Sequence, residues 1–285
     1  MSVTYLPFVL LLIAVLCLWA HRNLALGVLA VSVAAACYTG ALEAAAVLWI
    51  VLLGLLAWLH STRTGLQRLA TGVLFFVFAV ALGLLLLPGF PRTVIAENVI
   101  LSPGAMPYTL ALGFTKVVTG FFIVAFMHPG RVHSWHELRE VLARVAPVFL
   151  ATAAAVMVLT LALGYVKFDP KWTPLFVTWA VVNLFFTCLS EEAFFRGFVQ
   201  RELSQLGRNR ELSAALAIAV TALFFGAVHA GGGWKYALAA AVAGVGYGIA
   251  YQRTQRLEGS MAVHFGLNAT HFLLFTYPAL VPVAR

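Results

Sequence analysis

Ten apolar runs, most of them long enough to cross a bilayer, follow one another along the 285 residues, and that succession constrains the chain more than any single motif. A lipid interior offers backbone groups no hydrogen-bond partner. A segment that stays there must satisfy its own N–H and C=O groups, which a lone segment does only as a helix. The expected spans are 4–20, 24–38, 41–59, 67–87, 107–127, 145–166, 172–206, 212–230, 234–252 and 259–277, with nine spans if the short second run does not cross. Pro88-Gly89 with Pro91, Pro129-Gly130, Pro170 and Gly231-Gly232-Gly233 supply the breaks between runs. Charged residues make up 10% of the chain, against about 25% in a soluble domain. The predicted fold class is therefore all-α, a polytopic transmembrane bundle of about ten helices. The first run has no basic leader and no small-residue cleavage site, so it is expected to be retained as a helix.

The net charge of +8 does not point to nucleic acid, because the basic residues are scattered through short loops and not clustered with aromatics. Their distribution encodes orientation. Loops after odd-numbered helices hold twelve Lys and Arg, among them Arg196, Arg201, Arg208 and Arg210. Loops after even-numbered helices, with the C-terminus, hold five: Arg92, Lys167, Lys171, Lys235 and Arg285. Both termini are then expected outside the cytoplasm, with Glu191 toward the cytoplasmic side and substrate access from there. Cys17, Cys37 and Cys188 sit in apolar runs without disulfide or metal-ligand spacing and read as small buried side chains. The polar segment 128–141 reads as a short amphipathic helix at the interface. Its His128, His133 and His136 fit a wet loop better than a metal site.

The chemistry lies in the C-terminal half. Glu191-Glu192 followed by Arg196 ends a long apolar run, and charges beside such runs are expensive and usually functional. In a helix Glu192 and Arg196, four apart, share a face and can pair. Glu191 lies about 100° around and points elsewhere, available as a general base for water. A charge cluster at an interfacial helix end is the plainer alternative. Glu191 lies 18 residues before Asn209 in the following turn and His229 lies 20 after it, so an antiparallel hairpin brings the two to one height. Together they can hold and polarise a water molecule.

His264, Asn268 and His271 form a stripe on the last helix, and lipid cannot satisfy such a stripe, so it faces the bundle interior or a wet cavity. An imidazole and a carboxamide four residues apart can donate to one oxyanion; for His271 a role as interhelical polar contact is equally open. Counting residues puts His264 about 15 Å above the glycine turn, a gap to be closed by tilt or by a turn lying partway into the membrane. Asn183 and Thr187 precede Glu191 at four-residue steps and can line a water path or bond neighbouring backbone. Lys116, a lone cation in the fifth run, can pair with a site carboxylate or snorkel.

Glu191-Glu192-xxx-Arg196, Phe225-xxx-His229 and His264-xxx-Asn268, in this order, closely resemble the three motifs of the CAAX-type intramembrane glutamic endopeptidases, a family that includes bacterial abortive-infection and bacteriocin-processing membrane proteases. The resemblance covers roughly residues 172–276. It implies that Glu191 and His229 activate water, that His264 and Asn268 stabilise the oxyanion, and that Glu192 and Arg196 support them. It divides the chain into N-terminal transmembrane helices, 1–170, whose role it leaves open, and a C-terminal catalytic helical core, 171–285. The expected protein is a multi-pass plasma-membrane endopeptidase of a bacterial inner membrane, acting on a membrane-anchored protein or peptide without a cofactor. The link from Gly259-Ser260 to His264 is shorter than in a common form of the pattern. Three other readings stand beside this one. A zinc peptidase would use Glu191, His229 and His264 as ligands, although the His-Glu-xx-His helix signature is absent. A non-catalytic immunity or scaffold protein would keep the fold without the chemistry. A proton-coupled transporter would use Glu and His as a relay, although no inverted repeat is visible.

Overall fold

The computed structural model describes residues 3–127 and 130–282; the expected role of His128 lies outside them. Within these residues the chain forms ten helices and one small hairpin. In chain order they are α1 (Leu6–Cys17), α2 (Arg22–Thr39), α3 (Ala44–Thr62), α4 (Gly65–Gly83), β1 (Thr93–Val99) and β2 (Tyr108–Leu112). Then follow α5 (Thr115–Met127), α6 (Trp135–Ala162), α7 (Leu175–Ser204), α8 (Arg210–Val228), α9 (Trp234–Thr254) and α10 (Leu257–Leu274). Among the described residues α2, α3, α4, α6, α7 and α8 are long and apolar enough to cross a membrane, so the chain is a multi-pass integral membrane protein.

Three expectations are corrected. α1 has 12 residues and falls short of the span expected at 4–20. The fifth run does not start a helix at 107, because Tyr108–Leu112 pairs antiparallel with Thr93–Val99 and α5 begins only at Thr115. An apolar stretch that alternates satisfies its backbone through a partner strand as readily as through a helix. The interfacial helix at 128–141 is not separate. Ser134 Oγ accepts from Glu137 N at 3.1 Å, Glu137 Oε2 accepts from His133 N at 2.9 Å, and the helix so capped runs on as the 28 residues of α6.

Small residues set the spacing of the C-terminal helices. A Cβ added at Gly226 on α8 would stand 2.7 Å from Ala237 O and 2.8 Å from Ala241 Cβ on α9. One added at Gly246 on α9 would meet Thr152 of α6. With no hydrophobic drive between helices in lipid, such close backbone approach supplies the packing energy. α5 is enclosed: every residue from Val117 to Phe122 is buried. At one end of the bundle the hairpin, the 163–174 loop and the chain after α10 are laced together. Met106 N donates to Ala279 O at 2.8 Å, Leu280 N to Tyr165 O at 3.0 Å, and Thr276 N to Lys167 O at 2.9 Å. Lys171 binds Phe275 O there, and burial pulls its amine below the ordinary lysine range against the opposing pull of Asp169.

Candidate active site

α7 carries the acidic motif, but it is not a uniform α-helix. π-helical turns run from Asn183 to Cys188 and from Ala193 to Gln200, leaving Leu189–Glu192 as an α-helical turn between them. Such widened turns are frequent at functional sites because they re-aim side chains without breaking the helix. No residue pattern in the run announces them.

Glu192 and Arg196 are both fully buried, and the expected pair is made. Arg196 Nη1 donates to Glu192 Oε1 at 3.3 Å, and Nε lies 3.3 Å from Oε2. Arg196 Nη2 also donates to Gly244 O on α9 at 2.9 Å, and one turn on Gln200 Nε2 donates to Gly248 O at 3.0 Å. Gly248 leaves room for Gln200 of α7 to reach the α9 backbone, while Gly244 lets α9 close on Ala222 of α8. The Arg196 guanidinium lies 5.0 Å from the Phe225 ring and 5.2 Å from the Tyr247 ring, which supplies cation–π attraction in the dry interior.

Glu192 has a second partner that spacing alone did not reveal. His264 Nδ1 donates to its Oε1 at 2.7 Å. Tyr247 stacks on the His264 ring at 4.3 Å and 16°, fixing its plane. The height gap between the two histidines is bridged by Phe225, whose ring centroid lies 4.4 Å from that of His229 and 5.9 Å from that of His264. His229 Nδ1 donates to Phe225 O at 2.6 Å, which leaves Nε2 of the neutral imidazole as an acceptor.

Glu191 is buried, and Arg196 does not take it up, as expected. It is not free, however: Lys116 Nζ of α5 donates to Glu191 Oε1 at 2.8 Å. Lys116 therefore pairs with a site carboxylate and does not snorkel. Asn268 Nδ2 donates to Asn183 Oδ1 at 3.2 Å, and Cys188 Sγ donates to the same oxygen at 3.3 Å, so Asn183 orients the carboxamide of the third motif. His271 Nε2 bonds Thr276 O at 3.2 Å and holds the chain after α10.

One cavity of about 530 Å³ collects these groups: Glu191, His229, His264 and Asn268 all line it, with Asn183, Thr187, Lys116 and His271. Glu192 and Arg196 lie behind its wall. Sequence reasoning missed the tyrosines that shape it, Tyr108, Tyr165, Tyr236, Tyr247 and Tyr277, because tyrosines scattered over four separate segments leave no local pattern. The loop residues at its rim, Met106, Tyr165, Gly232 and Pro278, come from connections after even-numbered helices and from the C-terminal segment. Those connections lie at the end of the bundle poor in basic residues, opposite to the end that the charge count assigns to the cytoplasm. Among the described residues, no three His, Cys, Asp or Glu side chains are grouped so as to hold a metal ion.

Residues 171–270 match the family model for Rce1-like proteins, described as type II CAAX prenyl endopeptidase Rce1-like. The matched segment contains Glu191, Glu192, Arg196, His229, His264 and Asn268, and it excludes Lys116. No curated protein and no solved structure matches the chain.

Proposed function

We propose, from a chain whose residues 171–270 form an Rce1-like domain of the CAAX-type intramembrane proteases, that Glu191 and His229 activate a water which attacks a substrate peptide bond. The observation that carries this reading is the convergence of Glu191, His229, His264 and Asn268 on one cavity, although two helices, α7 and α10, and the C-terminal end of α8 supply them. Glu191 takes the proton of the attacking water and returns it to the leaving amine, while His229 Nε2 accepts a hydrogen bond from the same water. Asn268 Nδ2 donates to Asn183 Oδ1 at 3.2 Å and to Cys188 Sγ at 3.8 Å, and it exchanges the weaker sulfur bond for the oxyanion. His264 gives its Nδ1–H to Glu192, which anchors the ring in the cavity wall beside the oxyanion. Glu191 with Lys116 and Glu192 with Arg196 form two ion pairs, so neither carboxylate is left as an unpaired negative charge opposing the oxyanion. Residues 171–285 supply the reacting groups, and the reaction so described needs no metal. Lys116 holds one oxygen of Glu191 and so competes with a cation for that carboxylate.

The substrate in this reading is a membrane-anchored protein or peptide, threaded into the cavity from the end that carries the hairpin. Under the charge count that end faces away from the cytoplasm of a bacterial plasma membrane. The test is terminal-peptide mapping of the membrane proteome in cells carrying the native chain or Glu191→Gln, which keeps size and removes the base. One or a few proteins are expected to keep an uncleaved terminus only with the variant. Matching proteomes, together with a phenotype on deletion of the whole gene, would replace this reading with a scaffold role.

A further inference from the structure

We infer that Lys116 is a positioning residue of the active site: it fixes one oxygen of Glu191 so that the other faces water, and the contact of Gly120 with α7 docks it there. The inference rests on reading Glu191 as the water-activating base. It goes beyond the matched family segment, since Lys116 and Gly120 both precede residue 171.

Two independent observations support it. Lys116 Nζ lies 2.8 Å from Glu191 Oε1. A Cβ on Gly120 would stand 2.7 Å from Ser190 Cα and 3.4 Å from Ser190 Oγ, so the backbones of α5 and α7 touch beside the acidic motif. Gly120 follows Lys116 by four residues and Ser190 precedes Glu191 by one, so the contact and the ion pair share one face of α5. The burial of Val117–Phe122 prevents α5 from turning away. The pair also sits where two cavities meet. Lys116, Glu191 and His229 line the larger one and also a second of about 180 Å³ between α4, α7 and α8. A carboxylate at such a junction, without a fixed partner, would be free to swing toward either space. The second carboxylate of the motif is held from two sides, by Arg196 and His264; Lys116 gives Glu191 the anchor that those two give Glu192.

The test uses the full chain in detergent and an internally quenched peptide spanning the terminus found by mapping. Lys116→Met is expected to lower kcat by about 100-fold with KM little changed, the size of loss that a misplacement of about 1 Å produces. Lys116→Arg is expected to restore most of the rate, and Gly120→Ala to lower kcat although Lys116 is intact. Native kcat in Lys116→Met, or a loss carried by KM that Arg does not rescue, would overturn the proposal. A readout without activity separates its failure from failure of the protease reading. Melting temperatures of Lys116→Met, Glu191→Gln and the double variant are expected to be non-additive, whether or not the native chain cleaves the peptide; additive losses would dissolve the pair and the inference with it.

Discussion

Arg196 shows how much a single side chain carries in this interior. It neutralises Glu192, bonds the α9 backbone at Gly244 O and lies near three aromatic rings, Phe195, Phe225 and Tyr247, all with no exposure. Replacing it by Met would leave Glu192 as a buried charge beside His264 alone, and breaking such a pair from one side costs about 3–5 kcal/mol. The expected outcome is a large drop in the detergent melting temperature of Arg196→Met, with Arg196→Lys in between because one ammonium cannot reach both partners. A native-like melt for Arg196→Met would mean that Glu192 is satisfied without it. The pairing of Glu192 with Arg196 was legible from their four-residue spacing. The bond from Glu192 to His264 was not, and for Lys116 the sequence left pairing with a site carboxylate and snorkelling equally open, because these partners lie 72 and 75 residues away.

At the scale of elements, α8 and α9 form a hairpin whose spacing is set by glycine. Gly226→Val would place new carbons against Ala237 O and Ala241 Cβ and force the helices apart near His229. Overpacking of this kind costs about 1–3 kcal/mol, and the catalytic rate is expected to fall further than the melting temperature indicates. Gly27→Ala on α2 is the control, since a Cβ there meets nothing within 4 Å. There the exchange is expected to stabilise slightly, by about 0.5–1 kcal/mol, by removing the entropic penalty of glycine in a helix. Equal melting losses in both variants would show that glycine spacing does not hold the hairpin. The positions of α7 to α10 were legible from apolar runs and breakers; the early start of α6, the β-hairpin and the π-turns of α7 were not. Alternation over five residues is a weak signal inside an apolar run, and π-turns depend on what neighbouring helices demand.

At the scale of the whole molecule, the loops that line the cavity and the basic loops lie at opposite ends of the bundle. The orientation follows from which end faces the cytoplasm, and labelling decides it. In a background lacking the native cysteines, a membrane-impermeant maleimide is expected to label Glu97→Cys on the exposed hairpin in intact cells. Arg208→Cys, in the turn after α7, is expected to label only after permeabilisation. The reverse pattern would turn the mouth toward the cytoplasm and overturn the proposed route of entry.

The sequence by itself determined that this chain lives in a membrane as a helical bundle, and it singled out the polar residues that come to line one cavity. Lipid leaves apolar runs no alternative to internal hydrogen bonding, and polar groups persist in such runs only where they are used. Tertiary structure alone decided how those residues are wired. Burial in a medium without water makes every charge seek a partner, and the nearest partner in space was supplied by α5 for Glu191 and by α10 for Glu192, at sequence distances where no periodicity reaches.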